Sequence, residues 1–124
     1  MNKDRRNILK AALGVACVPL TPSQPEGPFY PIHEQLEKDF DMTTMNGLKV
    51  AKGEKVYIRG TVVDENCNPV AGALVDLWQA CHSGKYLHDD DPNPAELDPN
   101  FQYWAKLKTD NAGLWRVKTI IPGA

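Results

Sequence analysis

The stretch from Gly84 to Asp91, read "GKYLHDDD", sets a phenol, an imidazole and three carboxylates side by side. Oxygen and imidazole donors of this kind suit a divalent metal ion in principle. His33 and His82 are the other histidines of the chain. The glycine and the closing glutamate of an EF-hand loop are missing, and a Ser83-Gly84 hinge separates His82 from Tyr86. On the residues alone, His33, His82, His88 and the aspartates read as solvated loop, and Tyr86 as a structural aromatic. Lys85 reads as a solvated lysine, with assistance to an acidic substrate as the alternative. No Ser-His-Asp order, phosphate-cradling glycine loop or CxxC pair offers a different chemistry.

Three segments are predicted to position this loop. In "KVYIRGTVVD" the residues Val56, Ile58 and Val62 alternate with Tyr57, Arg59 and Thr61, the period of a half-buried antiparallel strand. The turn residues of "ENCNPVAG" follow, then "ALVDLWQA" with Ala73, Val75 and Leu77 on one face and Leu74, Asp76 and Trp78 on the other. A hairpin of these two strands is the natural expectation. The third strand, "LWRVKTII", opens from the turn "TDNAG", with Trp115, Val117 and Ile121 toward the core. "HEQLEKDFDMTTM" hints weakly at helix. The more than twenty residues from Cys81 to Lys106 read as one long loop, and such loops in small chains are usually functional or disordered. Its aromatics argue against disorder. The pattern as a whole predicts an all-β antiparallel sandwich, which also suits small non-catalytic modules such as transthyretin-like and peptidase-associated domains.

The chain has 124 residues, 42% of them hydrophobic and 24% charged, enough for one domain with a core. No apolar run approaches the ~20 residues that a membrane-spanning helix needs. Four of the 14 basic residues but one of the 16 acids fall in residues 1–10, so the remainder carries a net charge of −5. A nucleic-acid surface is therefore not expected. The basic start, Arg5 and Arg6 ahead of a short apolar stretch, resembles a twin-arginine export signal over residues 1–20. An exported, periplasmic protein is the expectation, with a basic tail on a cytoplasmic one as the alternative. A lipid anchor at Cys17 is a minor option, since Gly14 stands where such a signal wants leucine. Cys67 and Cys81 flank an intervening strand and lie on the order of 30 Å apart at ~3.3 Å per residue. They are expected as free or buried thiols rather than as a disulfide.

Two stretches go beyond a bare sandwich. "LTPSQPEGPFYP" and "VDLWQACHSGKYLH", followed in order by "LDPNF", "TDNAGLW" and "TIIPG", resemble the intradiol ring-cleavage dioxygenases from about Thr21 to the last residue. The Gly-x-Val-x-Asp turn is a weak signal, and "LWQA" followed by "GKYLH" and "DPNF" is a strong one.

The resemblance implies an antiparallel β-sandwich of the intradiol dioxygenase type over residues 21–124. It also implies a non-haem Fe(III) cofactor, and cleavage of catechol-type aromatics by O2 to muconate-type diacids. Members hold the ferric ion with two tyrosinates and two histidines, and Tyr86 matches the first tyrosine ligand. Pro28, Phe29 and Tyr30 match a segment lining the substrate pocket, and Trp78 lies near it; plain packing is the competing reading of each. In the family the second tyrosine directly follows the Pro-Gly turn, and a His-x-His pair comes later. The chain is thus expected to be incomplete at its carboxyl end, inactive alone, and open to oligomer formation.

Overall fold

The computed structural model describes residues 20–47 and 49–124, and every named element among them is a strand. In chain order these are β1 (Thr44–Met45), β2 (Lys49–Val50), β3 (Lys55–Thr61), β4 (Leu74–Trp78), β5 (Trp104–Lys108) and β6 (Leu114–Ile120). The predicted export segment lies outside the described residues except for Leu20.

Three antiparallel ladders form: β1 with β2, β3 with β6, and β4 with β5. The expected hairpin of β3 and β4 is therefore corrected. β3 pairs along its whole length with β6, from Lys55 opposite Ile120 to Thr61 opposite Leu114. The intervening turn closes locally through Asp64, whose carboxylate accepts from the backbone of Asn66 and Asn68 at 2.9 Å. It then sends β4 into the second sheet. There β4 pairs with β5, from Leu74 opposite Lys108 to Trp78 opposite Trp104.

The β3–β6 and β4–β5 ladders share one core. Val117 and Ile120 of β6 and Ala105 of β5 are fully buried, joined by Met42, Cys81, Phe101 and Tyr103, with Leu77, Leu107 and Trp115 packed against them. Two residues assigned to the core by alternation are half-exposed, Ile58 at 43% and Ile121 at 48%. Ile121 lies one position past the end of β6, and the buried isoleucine is Ile120.

The segment with a weak helical hint forms a strap instead. Lys106 N–H donates to Lys38 O at 2.8 Å, Lys118 N–H to Phe40 O at 2.7 Å, and Met42 N–H to Lys118 O at 2.8 Å. Its carbonyls and amides thus satisfy the outer edges of β5 and β6, and a helix would withdraw those partners. Gln102 locks the strap from beneath, its side-chain Nε2 donating to Asp39 Oδ1 at 2.8 Å and to Asp41 O at 2.6 Å. Cys81 is a buried free thiol as expected. Cys67 is disulfide-bonded, a correction to a reading that weighed only the Cys67–Cys81 pair. Among the described residues no helix is long and apolar enough to cross a membrane.

Candidate active site

Tyr86 lies half-buried in the loop between β4 and β5. Its backbone N–H donates to Asp91 Oδ2 at 2.6 Å, while Asn93 N–H donates to Asp91 Oδ1 at 2.9 Å. The Asn93 bond first, then the Tyr86 bond, hold the Asp91 carboxyl below the usual carboxylate range. The aspartate run is thus a device for folding the loop. Asp90 N–H donates to His88 Nδ1 at 3.0 Å, and Asp89 faces His33 Nε2 at 3.0 Å. Lys85, expected to be solvated, donates from Nζ to Asn93 O at 2.5 Å and ties the same loop together.

Phe29 lies against the Tyr86 ring with centroids 4.9 Å apart and the planes 34° from parallel, and it meets the His88 ring at 5.6 Å. The other predicted pocket residues gather on the adjoining face of the β4–β5 ladder. The Tyr30 ring stands edge-on to Trp78 at 4.7 Å and to Trp104 at 5.9 Å. Its hydroxyl donates to Asp76 Oδ2 at 2.5 Å, and Trp104 Nε1 donates to Asp76 Oδ1 at 2.6 Å. The bond to this carboxylate, with burial second, pushes the Tyr30 phenol up to about 12. Tyr30 is therefore a hydrogen-bond donor at neutral pH rather than a phenolate. Pro28 is exposed beside Phe29.

The segment after β6 runs alongside this loop. Gly123 N–H donates to Cys81 O at 3.0 Å. A Cβ on Gly123 would lie 2.3 Å from His82 O, and one on Gly84 would lie 2.5 Å from Ala124 O. Only glycines allow two backbones to pass this closely. The Pro122-Gly123 segment thus packs on the 82–84 turn, two residues before Tyr86. The thiol of Cys81 sits under the same turn. Burial raises its pKa, and hydrogen bonding with Ser83 and Tyr103 outweighs this, so the net shift is downward.

The three histidines are not brought together. His33 pairs with Asp89, His88 meets Phe29 at a tilt of 60°, and His82 lines an open cavity of about 530 Å³ shared with Lys52, Glu96, Asp98 and Asn100. There His82 Nδ1 lies 4.0 Å from Asp98 Oδ2 without a hydrogen bond. Among the described residues no group of three or more His, Cys, Asp or Glu is placed to hold a metal ion. A ferric ion asks for anionic oxygen, and the Tyr86 phenol in its half-buried loop fits as one such donor.

Sequence reasoning missed Asp76, Trp104 and β5. The signal for β5 was present in "YWAKL", where Tyr103, Ala105 and Leu107 alternate with Trp104 and Lys106.

Comparison with known proteins sets this geometry in context. A family profile described as Dioxygenase matches residues 25–124. The protocatechuate 3,4-dioxygenase beta chain of Burkholderia cepacia is 39% identical over 99 residues, covering 78% of this chain and 42% of that protein. The catechol 1,2-dioxygenase of Acinetobacter baylyi is 30% identical over 118 residues, covering 95% of this chain and 36% of that protein. Among solved structures, the catechol 1,2-dioxygenase of Pseudomonas arvilla C-1 superposes with a TM-score of 0.63 at 28% identity, covering 97% of this chain and 37% of that one. The chain spans about two fifths of the length of these relatives.

Proposed function

Since the chain belongs to the intradiol ring-cleavage dioxygenase family, we propose that it contributes Tyr86 as a ligand to a non-haem Fe(III) centre that cleaves catechol-type aromatics with O2 to muconate-type diacids. The observation that carries this reading is the packing of the Pro122-Gly123 segment against residues 82–84, two residues before Tyr86.

A phenol has an ordinary pKa near ~10, so Tyr86 must lose its proton to bind, which a nearby cation promotes. Ferric iron held there would supply the positive charge that draws both hydroxyl oxygens of a catechol into one site and readies the ring for dioxygen. The protein's own residues do the positioning. The Phe29 ring packs against the Tyr86 ring and helps fix its orientation. Pro28, Tyr30 and Trp78 line the approach of a flat aromatic substrate; Tyr30 offers its ring there because its hydroxyl is committed to Asp76.

The test is catechol-dependent oxygen uptake by the iron-loaded gene product that contains these residues. Uptake with formation of a muconate-type diacid, lost on Tyr86→Phe, is the expected result. Uptake that is absent, or that survives Tyr86→Phe unchanged, overturns the assignment and favours a non-catalytic sandwich module. The proposal extends to location: residues 1–20 act as a twin-arginine export signal and deliver the protein to the periplasm.

A further inference from the structure

Asp76 of β4 stands in register with Lys106 of β5, and Trp78 with Trp104, so these four residues share one face of the ladder. A carboxylate on such a face is ordinarily left to water. Here each oxygen is taken by a neutral donor of the protein: Oδ2 by the Tyr30 hydroxyl at 2.5 Å and Oδ1 by the Trp104 indole at 2.6 Å. With its ring edge-on to Trp78 and Trp104, Tyr30 is held at three points.

Tyr30 belongs to the sequence Pro28-Phe29-Tyr30-Pro31. Both prolines have fixed φ, and Pro31 restricts the backbone of Tyr30 as well, so the segment moves as a stiff unit. Consecutive Cα atoms are ~3.8 Å apart, so a fixed Tyr30 leaves Phe29 little room to wander. Phe29 is the ring that meets Tyr86 at 4.9 Å and His88 at 5.6 Å. A further tie of this region, His33 to Asp89, is exposed on both sides and holds weakly.

We propose that Asp76 is a positioning residue for Tyr86: by gripping Tyr30 and Trp104 together it fixes the 28–31 segment on the sheet and so sets Phe29 against the Tyr86 ring. The functional meaning rests on the ligand role proposed for Tyr86, whereas the geometry does not, and the two fail separately.

The chain has four tyrosines, which makes site-resolved nitration with tetranitromethane, read by mass spectrometry, a direct measurement. Tyr57, 74% exposed, serves as the reactive reference, and Tyr103, 4% exposed, reports the integrity of the fold. Asp76→Asn and Tyr30→Phe are each expected to raise Tyr86 nitration relative to Tyr57 by roughly tenfold or more, the scale of one lost charge-assisted hydrogen bond. Tyr103 should stay protected. If Asp76→Asn exposes Tyr103, Tyr30→Phe decides, because it keeps the ring and removes only the donor. An unchanged Tyr86 to Tyr57 ratio in Tyr30→Phe overturns the proposal. Exposure of Tyr103 in both variants overturns it equally, since Asp76 would then hold the fold rather than the segment.

Discussion

Of the two phenols that meet in this region, Tyr30 is committed to Asp76 in the structure, whereas Tyr86 is the one proposed to bind metal. Tyr30 gives its proton to a hydrogen bond with Asp76 and keeps it up to about pH 12. Its folded-state value lies above the ordinary value near 10, so the stabilisation is fully present below pH ~10 and is lost as pH rises through 12. Absorbance of the phenolate at 295 nm should therefore show Tyr30 ionising near 12 in the native protein. In Asp76→Asn the same tyrosine should titrate back toward 10, and an unchanged titration would remove Asp76 as the cause. Tyr30 and Tyr86 were both legible as members of sequence motifs. Asp76 was legible only as a polar position in a strand, because nothing in local alternation reveals that a hydroxyl 46 residues earlier lies over it. Tyr86 as a ligand position came from the flanking motif; the aspartates beside it suggested cation binding, and the structure uses Asp91 to fold the loop.

The strands show why local patterns identify elements better than partners. The segments of β3, β4 and β6 were readable from period-two alternation, whereas their pairing was not, since a turn between β3 and β4 fits a hairpin as well as a change of sheet. β5 hid in what looked like loop because it is short and begins immediately after Tyr103, whose φ of 64° bends the chain into it. The turn that opens β6 depends on Gly113, with φ of 75° and its Cβ position only 2.5 Å from Val62 O. Gly113→Ala should destabilise by about 1–3 kcal/mol in denaturant unfolding, from backbone strain and overpacking together. Ile120, fully buried between the sheets, should lose about 2–5 kcal/mol on truncation to alanine. Ile121→Ala, half-exposed, should cost far less, and the contrast checks which isoleucine the core uses.

At the scale of the whole molecule, the β3–β6 and β4–β5 ladders, a strap from Lys38 to Met42 and the segment after β6 all meet the loop between β4 and β5. The all-β class was legible because alternation and turn residues recur throughout; the strap was not, because its backbone is recruited by strand edges far away in sequence. The proposed export signal rests on Arg5 and Arg6 in the basic start of the chain. Replacing Arg5 and Arg6 by lysine should leave the protein in the cytoplasm, since the pair is read by a receptor and not by its charge; unchanged periplasmic recovery would remove the export assignment. The central claim, that Tyr86 is a metal-bound phenolate, is tested most directly by the visible spectrum of the ferric-loaded gene product containing these residues. The protein should be coloured by tyrosinate-to-iron charge transfer, and Tyr86→Phe should bleach much of that band and release iron, because the phenolate oxygen is gone. A colourless protein after iron loading, or a band that Tyr86→Phe leaves intact, would contradict the claim and return Tyr86 to the status of a loop aromatic.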